Sequence, residues 1–460
     1  MSEIRTSQHH SGSVRPGASR LPDEGELGTI AESVLAAARA RGASAAEVSV
    51  SVGIGLSVQV RNRAVDTVEH ERDRVLAVAV YFGQRQGTAS SSDLSPQSVR
   101  DTVDAACSIA RYTSEDPAQG LADAECMARD IPDLDLDHPW DLETADAIDH
   151  ALACEAAALD ADSRITRTEG AGLNTGRSIR VYANSHGFMG RVTGSRHGLN
   201  CVAIAGEGTA MQRDVGYTVD RDPRRLRSPE AVGREAAELA VARQDPRQPA
   251  TGRTPVLYTP QTARGLIGHF LGAVSGRSLY RRASFLLDTL GQPVFSLAVT
   301  LREHPHIPGG LASAAFDSEG VATADRALVE AGVLNGYVLD SYSARKLGMA
   351  TTGNAGGVHN LTVEPGTLDF QGLLREMGDG VVVTELMGQG VNGVTGDYSR
   401  GAAGFLVEGG ELAGPVSDFT VAGNLREMFT GIRAVGADTD TRGGVRTGSI
   451  LVDGVTIAGQ

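Results

Sequence analysis

No run of apolar residues approaches the roughly 18 to 20 that a membrane-spanning helix needs, so the sequence predicts a soluble, cytoplasmic protein with no membrane partner. The first 25 residues also lack an apolar core; they are polar and rich in Gly, Ser and Pro. That composition excludes a signal peptide and predicts a disordered tail over 1–25. Cysteine is scarce. Cys107, Cys126, Cys154 and Cys201 stand far apart with no CxxC pair, which excludes a zinc knuckle or a redox motif and fits buried thiols in a reducing compartment. Basic residues are the minority, 42 Lys and Arg against 57 Asp and Glu, and a formal charge of -15 gives nucleic acid no basic surface to bind. Aromatic residues are only 4% of the chain, whereas 57 glycines point to many tight turns and close backbone contacts.

What is present is enough for more than one core, since 41% of 460 residues are hydrophobic. Apolar positions Leu27, Ile30, Val34, Leu35 and Ala38 recur at helical spacing over 26–41. The stretch EVSVSVGIGLSVQV then alternates strictly, with Val48, Val50, Val52, Ile54, Leu56, Val58 and Val60 on one face, as a long half-buried strand does. Arg61-Asn62 turns the chain into two further strands, over 64–71 and 74–82, and such short connections predict an antiparallel meander. Helices are predicted over 96–111, 142–159 and 229–243, with several strands over 165–219. DIPDLDLDHPW marks a sub-boundary near 130–140, and QDPRQPATGRTP separates an N-terminal domain (26–243) from a C-terminal one (250–460).

The segment PQTARGLIGHFLGAVS predicts a helix over 261–275, capped by Thr259, whose stripe of Leu266, Ile267, Phe270, Leu271 and Val274 suits packing on a sheet. Gly268, Gly272 and Gly276 fall four apart and predict a side-chain-free groove, at about 1 kcal/mol per interior glycine. A close neighbour, a strand or a partner backbone, is expected in that groove. His269 lies beside it. A zinc peptidase helix carries two histidines and a glutamate after the first, but here the glutamate position is Phe270 and the later ligand position is Val274. One histidine cannot cage a catalytic zinc, so neither a catalytic nor a metal-ligating residue is assigned. His304 and His306 alternate in EHPHIPGG and are a weak candidate pair. Neither a nucleophile elbow nor a Walker phosphate loop occurs. Asp317 and Glu319 in FDSEG read as a turn between strands more readily than as an acid–base pair.

The segments VLYTPQTARGLIGHFLGAVSGRSLYRRASFL, HPHIPGGLASAAFDSEGVAT, LVEAGVLNGYVLDSYSARKLGMATTGNAGGVHNLTVEPG and GVNGVTGDYSRGAAGFLVEGGELAGPVSDFTVAGNL resemble the PmbA (TldE) branch of the TldD/PmbA family, also called modulators of DNA gyrase. The likeness runs from about Leu27 to the end of the chain. It implies an α+β fold, with N-terminal helices packed on antiparallel strands and a C-terminal region rich in curved antiparallel sheet. It further implies a heterodimeric zinc peptidase that trims unfolded peptides, including antitoxins and leader regions, in which a TldD-like chain carries HExxxH and a cysteine ligand. His269 matches the first histidine of that motif, Phe270 and Val274 replace its other residues, and no cysteine follows Cys201. The implied role is a non-catalytic subunit without a cofactor of its own, the zinc residing in the partner.

Such a subunit could grip an extended peptide through backbone addition to a strand. Gly268, Gly272, Gly276, His359, Asn360, Asp397, Tyr398 and Arg400 are the candidate peptide or partner contacts; the plain alternative is turn glycines and a structural ion pair. Two other functions compete with the subunit reading. One is a regulatory binding protein acting on gyrase or another protein, the other a homodimeric peptide-binding scaffold.

Overall fold

The computed structural model describes residues 21–459. Most of the tail expected over 1–25 lies outside them. Within them a helix begins already at Glu24, because the Asp23 side chain accepts from the Gly25 amide and caps it.

The N-terminal half is one six-stranded antiparallel sheet with helices on one face. It comprises α1 (Glu24–Ala40), β1 (Ala45–Arg61), β2 (Ala64–Phe82), β3 (Arg85–Ser91), α2 (Pro96–Tyr112), α3 (Thr144–Leu159), β4 (Ile165–Asn184), β5 (Met189–Ala205), β6 (Gln212–Asp220) and α4 (Pro229–Ala242), with strand order β3-β2-β1-β4-β5-β6. The alternation of β1 does what its period demands. Val48, Val50 and Val52 pack with α1 and α2, while Leu56, Val58 and Val60 pack with α3 and α4, so two helix pairs share one face of the same long strand. Each such buried Val contributes roughly 1.5 kcal/mol or more. Glycine permits the closest layers: a Cβ on Gly87 would fall 2.1 Å from the Ala106 carbonyl of α2, and one on Gly233 would fall 2.1 Å from the Cys154 carbonyl of α3.

Two local expectations are corrected. The strands expected at 64–71 and 74–82 are one 19-residue strand, because the intervening charges lie on an exposed edge where they do not interrupt pairing with β1. The turn before it is Asn62-Arg63, both with positive φ (55° and 58°), as a two-residue hairpin requires.

The C-terminal half contains β7 (Gly252–Tyr258), α5 (Pro260–Ala273), α6 (Gly276–Tyr280), β8 (Leu301–Glu303), β9 (Arg326–Glu330), β10 (Val333–Leu334), α7 (Ser341–Leu347), β11 (Leu361–Val363), α8 (Phe370–Met377), β12 (Gly380–Met387), β13 (Asp397–Glu408), β14 (Glu411–Asn424), α9 (Leu425–Thr430), β15 (Ile432–Val435), β16 (Val445–Arg446) and β17 (Ile450–Ala458). One sheet runs β14-β13-β12-β7-β17-β15, and an added β14–β17 pairing closes five of its strands on themselves as a partial barrel. A smaller sheet runs β10-β9-β8-β11-β16. α5 lays Leu266, Ile267 and Phe270 into the largest core, against Val256 and Tyr258 of β7, while α8 covers the opposite side of β7 through Leu373 and Leu374. Among the described residues no helix is long and apolar enough to cross a membrane.

The halves meet on the polar face of the first sheet, where Arg180 of β4 stacks over Phe316, and away from it, where the Tyr342 hydroxyl donates to Asp116 (2.8 Å) and Arg243, just after α4, pairs with Asp214 of β6 and Glu385 of β12.

Candidate functional site

The site is built around α5. Thr259 occupies its N-cap position, but the threonine hydroxyl turns to the Val383 carbonyl and caps no amide. Leu266, Ile267 and Phe270 anchor the buried side, which leaves Gly265, Gly268 and Gly272 on the exposed side. A Cβ added at any of these three would meet nothing within 4 Å. Among the described residues nothing supplies the close neighbour expected there. Gly276 is also not part of the stripe. It opens α6, is buried, and leaves room for Ser343, whose Oγ lies 2.0 Å from where a Cβ would stand. The bare stripe is thus Gly265–Gly268–Gly272.

His269 is half-buried beside the stripe, with its ring edge-on to Tyr398 (5.9 Å between centroids). Burial lowers its pKa from the ordinary value, and the nearby Arg400 guanidinium lowers it further, so near neutral pH the imidazole is uncharged. Phe270 and Val274 lie fully inside the core, Phe270 against Phe295 (4.9 Å) and Phe429 (6.2 Å). The residues around His269 do not fit a zinc ion: its neighbours are an aromatic ring and a cation. Among the described residues no three His, Cys, Asp or Glu side chains converge to hold one.

Tyr398 and Arg400 share this end of α5. Tyr398 is buried on β13, its hydroxyl pushed up to about 12 by burial, and Arg400 donates to the Leu386 and Met387 carbonyls. Asp397 is exposed nearby and accepts from Thr395 (2.6 Å) and Asn424 (3.3 Å). His359 and Asn360 are elsewhere, holding the smaller sheet together. The His359 amide and Nδ1 both meet Glu303 Oε1 (2.7 and 3.1 Å), and Arg326 reaches Oε2 (2.8 Å). Burial acts to raise the Glu303 pKa, but bonding by His359 and Arg326 outweighs it and holds the carboxyl below its ordinary range. Asn360 adopts positive φ (42°) and spends its amide on Ala312, His304 and Ser313. The eight candidate contacts therefore divide: Gly268, Gly272, Tyr398, Arg400 and Asp397 surround one end of α5, whereas Gly276, His359 and Asn360 are internal to the fold. His304 and His306 also part company, His304 to Asp325 (3.0 Å) and His306 to Thr323 (3.1 Å).

Two features, a cavity and an arginine clasp, had no signal in the sequence. Beside the N-terminus of α5 lies a cavity of about 490 Å³ between the halves, lined by Val202, Val215, Tyr217, Leu239 and Phe405. Arg264 and Arg442 share Asp440 (2.8 and 3.0 Å) and clasp Tyr217 of β6, with Arg442 stacked 4.1 Å over its ring and donating to its carbonyl (2.9 Å). Asp317 and Glu319 do form the expected turn, Asp317 Oδ1 accepting from the Glu319 and Val321 amides. Yet Glu319 is pushed up to about 7 by burial, with Asp317 and Asp340 adding to the effect.

Family models match nearly the whole described chain: PmbA/TldA metallopeptidase domain 1 over 46–110, the central domain over 137–244 and the C-terminal domain over 251–459. The chain is 49% identical over 396 residues to Metalloprotease PmbA of Escherichia coli O157:H7, covering 86% of this chain and 88% of that protein. It is 46% identical over 401 residues to a Metalloprotease PmbA homolog of Haemophilus influenzae, covering 87% and 89%. Among solved structures, a protein of Bacteroides thetaiotaomicron described as a modulator of DNA gyrase superposes with TM-score 0.89 at 28% identity, over 95% of this chain and 99% of that one. TldE of Thermococcus kodakarensis superposes with TM-score 0.80 over 94% and 100%, at 21% identity, a likeness of fold alone.

Proposed function

The chain belongs to the PmbA/TldA metallopeptidase family, and from that premise we propose that it is the non-catalytic subunit of a two-chain zinc peptidase. The observation that carries this reading is the state of α5. Phe270 and Val274, which stand at the glutamate and second-histidine positions of a zinc-peptidase helix, are core side chains, and among the described residues no three His, Cys, Asp or Glu side chains converge to hold a metal. In this reading zinc and the attacking water belong to a TldD-like partner bearing HExxxH, both chains work in the cytoplasm, and unfolded peptides are the substrate. This chain's own residues would wall the cleft and receive extended peptide on backbone left bare at Gly265, Gly268 and Gly272. Neutral His269 would serve as a hydrogen-bonding wall beside Tyr398.

Zinc content and peptide cleavage, measured for this chain, for the HExxxH chain and for the mixture, test the division of labour. The expected result is no stoichiometric zinc in this chain and cleavage only where the HExxxH chain is present. Zinc bound at His269 together with cleavage by this chain alone would overturn it.

A further inference from the structure

We infer that the outer edge of β2 over residues 67–75 is a docking strand for a second, different polypeptide, one whose pairing strand alternates basic and acidic residues. This rests on the reading that the chain works beside another protein. On its inner side β2 pairs with β1 along its whole length, whereas on its outer side β3 covers only Leu76 to Phe82. No backbone hydrogen bond from a described residue reaches the rest of that edge, and 69–75 are all exposed.

The charges along it are sorted by face. Glu69, Glu71 and Asp73 stand opposite Ser57, Gly55 and Gly53 of β1, on the polar face; His70, Arg72 and Arg74 stand opposite Leu56, Ile54 and Val52, on the helix-covered face. Neither row is neutralised from β1, whose acid-facing neighbours are Ser and Gly. Although ion pairs are plentiful elsewhere, none among the described residues involves any of these six. An edge needs only some charge, a proline or a bulge to deter aggregation. Here proline and bulge are both missing between 67 and 75, and the charges are segregated further than protection requires.

The sorting decides between occupants. A closed dimer of two copies through a strand edge is antiparallel about an axis normal to the sheet, which keeps each face on its own side. Glu69, Glu71 and Asp73 would then face their own counterparts across a strand spacing of about 4.8 Å, and Arg72 and Arg74 likewise. A second copy is therefore repelled. A substrate peptide of arbitrary sequence is also a poor fit, because backbone pairing is blind to side chains and the sorted rows are not. A partner of fixed sequence, presenting Lys or Arg to the acidic row and Asp or Glu to the basic row, satisfies both.

The test reads amide hydrogen exchange of the full chain at low salt, alone and with a peptide of strictly alternating lysine and glutamate long enough to span the edge. The expected result is exchange slowed about tenfold or more over 67–75 alone, abolished when salt shortens the Debye length to a few ångströms. A peptide of the same composition with its lysines and glutamates in two blocks should give no protection, and the E69K/E71K/D73K variant should lose it. Equal protection by both peptides, none by the alternating one, or protection of 67–75 by self-association would each overturn the inference. Exchange of the mixture with an HExxxH chain separates the two readings. If the chains assemble and leave 67–75 unprotected, the edge inference fails and the subunit reading stands; if they do not assemble while the alternating peptide still protects, the reverse holds.

Discussion

At Phe270 the chain has placed a ring where a peptidase would need a base, and the exchange is not reversible by one substitution. Phe270 is fully buried against Phe295 and Phe429, so Phe270→Glu would lose those contacts and bury an unpaired carboxylate. The expected loss is about 4 kcal/mol or more, read as a lower melting temperature, with zinc content unchanged. That Phe270 and Val274 stand at the motif's later positions is legible in the sequence because a metal motif is local. Glu319 was legible only as a turn residue, since its burial, and the meeting with Asp340 and with Ser341, which donates its amide to the carboxylate (3.0 Å), arise only in the fold. Its titration has a definite sign. A carboxyl raised from 4.5 to about 7 in the fold binds its proton more tightly there than in the unfolded chain. The stability contributed by this group is therefore greatest below the unfolded value and falls as pH rises from about 4.5 through 7, by at most about 3 kcal/mol. Glu319→Gln should flatten that fall, measured as the difference in denaturation midpoint between pH 5 and pH 8.

At the scale of the element, α5 separates two kinds of glycine that look alike in sequence. Gly268 and Gly272 are helical and open, so Gly268→Ala with Gly272→Ala should stabilise the isolated chain by up to about 2 kcal/mol, while Gly276→Ala should destabilise it, because the new Cβ meets Ser343 Oγ. Thermal unfolding of the variants checks both signs. If the open stripe receives peptide or partner, the double variant will also slow cleavage by the two-chain mixture despite its greater stability. The four-residue spacing of these glycines was visible beforehand; that the last of them had left the helix was not, because α5 ends at Ala273 and the chain turns into α6. The alternation of β1 was the opposite case. Its period of two over seven apolar positions announced the strand and its buried face. From sequence β2 divides at Arg72-Asp73, inside a polar run over 69–74, whereas on an exposed edge such residues are compatible with unbroken pairing.

Over the whole molecule, the halves are joined by groups that no local pattern could announce, since Tyr217, Arg264, Asp440 and Arg442 are scattered across more than 200 residues of sequence. Asp440 is the centre of this clasp. It is buried, its pKa lies below the ordinary value because bonds from Arg442 and the charge of Arg264 outweigh burial, and it neutralises two guanidinium groups at once. Removing either arginine leaves Asp440 one cation. Removing Asp440 leaves two cations facing each other at the seam, with Arg442 still stacked on Tyr217. Asp440→Ala should therefore cost more than Arg442→Ala, on the order of 3 kcal/mol for a largely buried network that loses the anion both arginines share. Because the loss falls on the seam while the cores under β1 and around α5 stay intact, denaturant unfolding should change in form as well as midpoint. The single transition expected of two halves locked together should split into two, resolved by comparing far-ultraviolet dichroism with the fluorescence of Trp140, which lies in the N-terminal half against His197. Coincident curves for Asp440→Ala, shifted no further than those for Arg442→Ala, would show that the other contacts across the seam hold the halves together without this clasp.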